Sequence, residues 1–248
     1  MDRSKPMERQ DTEALVECVV DGLRRILVHY GLWFSEVAHQ LGFERACSIE
    51  DDVWWKSLAI QMKRLGDLLG FEVDDRGVPV SLNRLSPDEL LGIMRALGIN
   101  WLANDGVWFQ AVESSVDLFT AKRCNDTCWT RFSPYEAMRI KKLLDLPENG
   151  GISALRQALG YRMYSRINKQ SFEDVDENTL IFRMVDCRVQ SARKRRGLAD
   201  YPCKSAGIVE YSTFASAIDP RIKTKCIACP PDDHPDDWYC AWRFSVDL

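Results

Sequence analysis

The stretch Gly31-Leu32-Trp33-Phe34 decides the architecture, because it returns 75 residues later as Gly106-Val107-Trp108-Phe109. The same offset pairs Trp54 with Trp129. A match at one constant offset over about 40 residues indicates a duplicated unit. Further pairs at this offset are Val37 and Val112, Ala46 and Ala121, Asp51 and Asp126, and Leu68-Leu69 and Leu143-Leu144.

Each copy has the apolar spacing of a helix buried on one face. Steps of three or four residues along one stripe predict such a helix. Trp33, Phe34, Trp108 and Phe109 lie on the stripe, so we expect them to pack, with a ligand cavity as the alternative. In the first copy the stripe comprises Leu23, Ile26, Leu27, Tyr30, Trp33, Phe34, Val37 and Leu41.

The chain changes character after residue 168. Compact runs of β-branched and aromatic residues predict strands over residues 179–185, 221–229 and 239–246. Helical spacing returns over residues 189–196 and 207–218. We therefore predict an α+β fold, in which a duplicated helical N-terminal region precedes a C-terminal antiparallel-sheet plus helix, cysteine-rich domain. The expected domains are residues 1–80 and 81–165 for the two helical repeats and 166–248 for the α+β domain.

Composition and charge exclude several classes of protein. The chain has 248 residues, 33 Lys and Arg, and 37 Asp and Glu, for a net charge of −4. This balance gives no attraction to nucleic acid or to an anionic membrane, and no apolar run is long enough to span a bilayer. Nine cysteines, an odd number, favour a cytoplasmic protein with reduced thiols over a secreted disulfide scaffold.

Five cysteines near the C-terminus form the main candidate site. Cys226 and Cys229 form a CxxC pair, whose sulfurs can bind one metal ion. A hairpin through residues 230–237 would return Cys240 to the same point, and Cys187 and Cys203 complete the candidate set. Four of the five make a tetrahedral zinc site, and His234 is an alternative ligand.

Other interpretations of this set remain open at the sequence level. An iron–sulfur cluster uses the same residue type. Buried strand cysteines beside an incidental CxxC would need no metal at all, and a redox or nucleophilic thiol is a third alternative. The remaining four cysteines, including Cys124 and Cys128, are expected to pack in helices, because the equivalents of these two in the first copy are Ile49 and Val53.

A basic segment next to the cysteines suggests an anionic ligand. Residues 181–206 contain seven basic and two acidic residues, and such a patch suits a carboxylate or phosphate. A solvated helix face explains the same charges. No phosphate-binding glycine motif is present, which argues against nucleotide chemistry. The candidate ligand-binding residues are Arg188, Arg193, Lys204, Glu210 and Tyr211, with Glu210 also a candidate general base.

The second half of the chain resembles a known group of proteins. The segments are Asn104-Asp105-Gly106-Val107-Trp108-Phe109-Gln110-Ala111-Val112-Glu113, Val185-Asp186-Cys187, Tyr201-Pro202-Cys203-Lys204 and the run from Cys226 to Asp232 with Trp238-Tyr239-Cys240-Ala241-Trp242. They resemble an uncharacterised prokaryotic family of cytosolic proteins over residues 95–248. The ending also resembles 4-vinyl reductase domains and L-2-amino-thiazoline-4-carboxylic acid hydrolase-like proteins. That resemblance implies an α+β ligand-binding fold with cysteines, proposed to bind metal, near a pocket. The chain departs from it by having Asp236-Asp237 where Gly-Asp is usual.

These observations lead to one expectation and one alternative. We expect a cytosolic metal-binding protein, with zinc as the metal, that binds a small anionic organic molecule. The alternative is a hydrolase of a C–N or C–S bond in a small cyclic substrate, acting through the metal or a free cysteine thiolate. The sequence leaves the oligomeric state and the presence of an enzymatic activity open.

Overall fold

The computed structural model describes Pro6 and residues 11–247. The chain forms two compact units, of which the first ends at Arg84 and the second begins at Leu85. Among the described residues, none of the helices is both long and apolar enough to cross a membrane.

The first unit is a pair of long helices. Helix α1 (Thr12–Leu41) begins at the N-cap Asp11, whose carboxylate accepts a hydrogen bond from the Ala14 amide at 2.8 Å. Gly42, at a φ of 86°, then turns the chain into α2 (Phe43–Leu69). The two helices contact each other, and Tyr30 of α1 donates a hydrogen bond to Glu50 of α2.

The second unit begins with the same arrangement. Helix α3 (Pro87–Ser115) opens with a capping box between Ser86 and Glu89, and α4 (Leu118–Leu143) opens at the N-cap Asp117. Adding 75 to the bounds of α1 and α2 gives 87–116 and 118–144, which agree with α3 and α4 to one residue. The duplication predicted from the sequence is therefore confirmed as two equivalent helix pairs.

The rest of the second unit is a four-stranded antiparallel sheet with helices. The elements are α5 (Gly151–Tyr161), β1 (Lys169–Asp176), β2 (Thr179–Asp186), α6 (Arg188–Lys194), α7 (Lys204–Ile218), β3 (Ile222–Ala228) and β4 (Cys240–Val246). The strand order is β1-β2-β4-β3, and every pair is antiparallel. This confirms the predicted α+β class.

Helix α7 lies at the centre of the second unit and packs against α4, β3 and the core. Its buried residues include Phe214 and Ile218, which meet Phe182 of β2 and Phe244 of β4 in one apolar cluster. The cysteines at the ends of these elements are thereby brought to the edge of this cluster.

Two packing expectations from the sequence are wrong. Trp33 and Trp108 are 62% and 68% exposed, so neither ring packs in the core of its unit. Cys124 and Cys128 lie in α4 as expected, but they are exposed, because α4 buries a different stripe that includes Trp129 and Ala137.

Candidate thiol site

The five C-terminal cysteines lie at element ends in the second unit. Cys187 separates β2 from α6, and Cys203 is the N-cap residue of α7. Cys226 lies in β3, Cys229 follows the end of that strand, and Cys240 begins β4. Because these ends meet at one edge of the core, residues distant in the sequence become neighbours.

Cys203 and Cys229 form a close pair of thiols. Their Sγ atoms are 3.6 Å apart, a separation at which one thiol hydrogen-bonds the other. Cys229 is 1% exposed, whereas Cys203 is half-buried. Cys229 is therefore enclosed, whereas the residue Cys203 is partly exposed.

The environment of Cys203 favours its anionic form. The hydrogen bond with Cys229 lowers the pKa of the Cys203 thiol, and a hydrogen bond from the Gln190 amide, with Nε2 at 3.5 Å from Sγ, acts in the same direction. Cys203 also occupies the N-terminal end of a 15-residue helix, where the backbone amides favour negative charge. Burial of Cys203 opposes these effects, but the net result is a Cys203 thiol whose pKa lies below its ordinary value.

Cys229 keeps its proton. Its hydrogen bonds with Cys203 and Cys240, followed by burial, hold the pKa of the Cys229 thiol far above its ordinary value. The contact with Cys240 exists because β3 and β4 pair as a hairpin and place Cys229 and Cys240 at the same end. The predicted return of Cys240 to the CxxC segment is confirmed.

The two other candidate cysteines border this pair. Burial raises the pKa of Cys187 to about 12 and that of Cys226 to about 11. Both thiols are close enough to Cys203 and Cys240 for the charges to influence one another. Within residues 11–247 there is, however, no group of three or more His, Cys, Asp or Glu side chains already arranged to hold a metal ion.

The ring nitrogens of His234 have partners other than the cysteine thiols. Its Nε2 lies 2.9 Å from the Asp200 carboxylate and its Nδ1 lies 2.8 Å from the Pro235 carbonyl oxygen. Burial opposes the charged ring, but these two acceptors together raise the pKa of His234. Both ring nitrogens are engaged, so the structure does not present His234 as a ligand next to Cys229.

A polar clasp holds the loop after Cys229 against the start of α7. The backbone N–H of Lys204 donates to the Pro230 carbonyl at 2.9 Å. The side-chain Nζ of Lys204 donates to both carboxylate oxygens of Asp232, at 2.7 and 2.8 Å. Asp232 in turn accepts a hydrogen bond from the Cys229 amide at 3.3 Å. Lys204, predicted as a ligand-binding residue, therefore has an internal partner that keeps Cys203 and Cys229 together.

The other predicted ligand-binding residues do not share one surface. Arg188 is exposed at the start of α6, and Arg193 donates from Nε to the Ala199 carbonyl at 2.7 Å. Tyr211 is buried, with its ring 4.7 Å from that of Trp242. Binding of an anion by this set stays a prediction.

Glu210 belongs to a buried charge cluster that the sequence did not reveal. Arg162, 2% exposed, donates from Nη1 to Glu210 at 2.7 Å and from Nε to Glu136 at 2.8 Å. Burial raises the pKa of Glu210 to about 7 despite the favourable charge of Arg162. The cluster connects α4, the turn after α5, and α7. In the sequence its only signal is Arg162, a charged residue within an apolar stretch.

Gly207 was missed as well, although it sets the distance between α7 and the cysteines. A Cβ at this position would lie 2.7 Å from a ring carbon of Trp242 and 3.7 Å from the Cys229 sulfur. Only glycine lets the first turn of α7 come this close to β4 and to Cys229.

Fold and site together define an α+β protein with a pair of neighbouring thiols at the N-terminus of its central helix. The chain matches the model of a family of unknown function, DUF6125, twice, over residues 8–84 and 80–246, and it belongs to that family. The double match agrees with the duplicated helix pair. No curated protein matches the chain. No solved structure matches it either.

Proposed function

We propose that the second unit binds a zinc ion through cysteine thiolates, with Cys203 and Cys229 as the first two ligands. The observation that carries the proposal is the 3.6 Å separation of their sulfurs. Two sulfurs that each lie 2.3 Å from a tetrahedral zinc ion are about 3.8 Å apart. The pair therefore fits one metal ion with almost no movement.

The remaining ligands come from the cysteines that border the pair. Cys240 contacts Cys229, and Cys187 and Cys226 lie within electrostatic range. Since these side chains are not yet turned to a common point, the proposal requires rotations about their Cα–Cβ bonds on metal binding. Zinc supplies positive charge that neutralises the thiolates and links α7 to the β3–β4 hairpin.

We also propose a cellular location for the protein and a class of ligand. Thiolate ligands must remain reduced, which supports a cytoplasmic location as part of the proposal. The resemblance to 4-vinyl reductase domains and L-2-amino-thiazoline-4-carboxylic acid hydrolase-like proteins supports a ligand near the cysteines, and the basic residues within 181–206 support an anionic one. In this proposal the metal stabilises a small-molecule-binding protein.

Metal content of the full chain tests the proposal. Protein purified without oxygen should contain one zinc per chain, and Cys229→Ser should lose most of it together with thermal stability. Cys124→Ser is the matched control, because Cys124 is exposed on α4 and should leave the zinc content unchanged.

Two results would contradict zinc binding: a metal-free wild-type chain, or alkylation of all five C-terminal thiols at equal rates. The lowered pKa of Cys203 and its place at the N-terminal end of α7 support a second candidate, the hydrolase in which a free Cys203 thiolate attacks the substrate carbon. A metal-free chain with one rapid adduct at Cys203 would favour that hydrolase.

A further inference from the structure

Gln190 is a buried amide at the thiol pair. It lies in α6, is 1% exposed, and hydrogen-bonds both to the chain segment before α7 and to the Cys203 sulfur. We propose that Gln190 is a positioning residue that holds the Cys203 sulfur, as a hydrogen-bond acceptor, beside Cys229. The inference rests on the proposed function and assigns a residue that controls the same site.

The backbone of Tyr201 determines the orientation of the Gln190 amide. The Tyr201 N–H donates to Gln190 Oε1 at 2.8 Å, and Gln190 Nε2 donates to the Tyr201 carbonyl at 2.8 Å. In the opposite orientation the Gln190 NH2 group would face the Tyr201 N–H, and Gln190 Oε1 would face the Tyr201 carbonyl oxygen, so neither hydrogen bond could form. Nε2 carries two hydrogens, and with one on Tyr201 the second is directed at Cys203 Sγ, 3.5 Å away.

The segment before Cys203 is also anchored from the helix pair of the second unit. Lys122 Nζ donates to the Pro202 carbonyl at 2.9 Å and lies 5.0 Å from the centre of the Tyr201 ring. The ring of Phe109 meets the same tyrosine edge-on at 5.5 Å. Because these contacts do not involve Gln190, they should hold the segment in place when its replacement removes the two bonds to the Tyr201 backbone together with the contact to sulfur.

The hydrogen bond has a specific chemical effect on a metal thiolate. An N–H group directed at sulfur stabilises its negative charge and lowers the energy of its lone pairs, so more energy is needed to transfer an electron from sulfur to the metal. Hydrogen bonds to metal ligands of this kind change metal affinity by about 10–100-fold when removed. Gln190 should therefore influence both the spectrum and the affinity of the site.

Cobalt(II) in the full chain gives the first readout. In Gln190→Met the sulfur-to-cobalt charge-transfer band should move to longer wavelength and the affinity should fall about tenfold. Gln190→Glu should show a larger shift, because a carboxylate cannot donate to the sulfur. Lys194→Met, an exposed change on the same helix, should leave the band where it is. A purely structural role for Gln190 would lower the melting temperature without moving the band.

Phenylarsine oxide gives a second readout that needs no metal site. It joins two neighbouring thiols by forming two As–S bonds, while its oxygen leaves as water with the two thiol protons. The wild-type chain should take up one arsenical bridging Cys203 and Cys229, and both Gln190 variants should bind it about tenfold more weakly. If the chain binds no cobalt but the Gln190 variants still bind phenylarsine oxide more weakly than the wild type, the zinc proposal is refuted and the role of Gln190 is retained. Equal arsenical affinity in wild type and variants, or an unmoved cobalt band, would overturn the inference.

Discussion

The carboxyl group of Glu210 is buried two turns into α7, where Arg162 is its ion-pair partner. Burial raises its pKa to about 7, whereas an exposed glutamate has a value near 4.3. Between these values the folded chain binds more protons at this residue than the unfolded chain does. The contribution of Glu210 to the free energy of unfolding therefore falls as the pH rises through this window.

Replacement of Glu210 by Gln should remove this part of the pH dependence. Between pH 5 and pH 8 the wild-type chain should lose stability, and Glu210→Gln should lose less, because its amide does not ionise yet still accepts from Arg162. Urea unfolding across this pH range measures the difference. Glu177→Gln, an exposed change, should behave like the wild type. Parallel curves for wild type and Glu210→Gln would contradict the assignment.

Close packing of α7 on β4 is the element-level feature on which the site depends. Gly207→Ala would favour the helix by about 1 kcal/mol in the absence of other contacts. Here the new methyl group would meet the Trp242 ring at 2.7 Å, so we expect a net loss of about 1–3 kcal/mol. Thermal unfolding of Gly207→Ala and of the wild type measures this loss of stability. Gly106→Ala on α3, with open space around its Cβ position, should be neutral or stabilising. Equal stability for the two variants would show that α7 does not lie this close to β4.

Most elements could be predicted from the sequence, because their apolar spacing is local information. The offset of 75 predicted the second helix pair, and α7, β2, β3 and β4 carry clear patterns. Strand β1 was missed because its sequence, KQSFEDVD, is polar and largely exposed, and it forms through pairing with β2. The exposed Trp33 and Trp108 were misjudged because a stripe with apolar residues on several sides does not show which side is covered.

At the scale of the whole molecule, the two copies have different surroundings. The second copy is followed by the sheet and by all five C-terminal cysteines, whereas the first consists of the helix pair and a short turn. The sequence proposed the five cysteines as one candidate group, of which the structure brings Cys229 into contact with Cys203 and Cys240. It could not single out Cys203 and Cys229, because their 3.6 Å contact depends on α7, Gly207 and the hairpin end meeting in three dimensions. Gln190 was missed for the same reason.

X-ray absorption at the zinc edge of the full chain, purified without oxygen, tests the central claim most directly. Zinc binding by the cysteines predicts a shell dominated by sulfur at about 2.3 Å, the length of a zinc–thiolate bond. Replacement of Cys203 by Ser should remove one sulfur from that shell or abolish zinc binding. A zinc shell made only of oxygen and nitrogen, or a wild-type protein that contains no zinc, would contradict zinc binding through the cysteines.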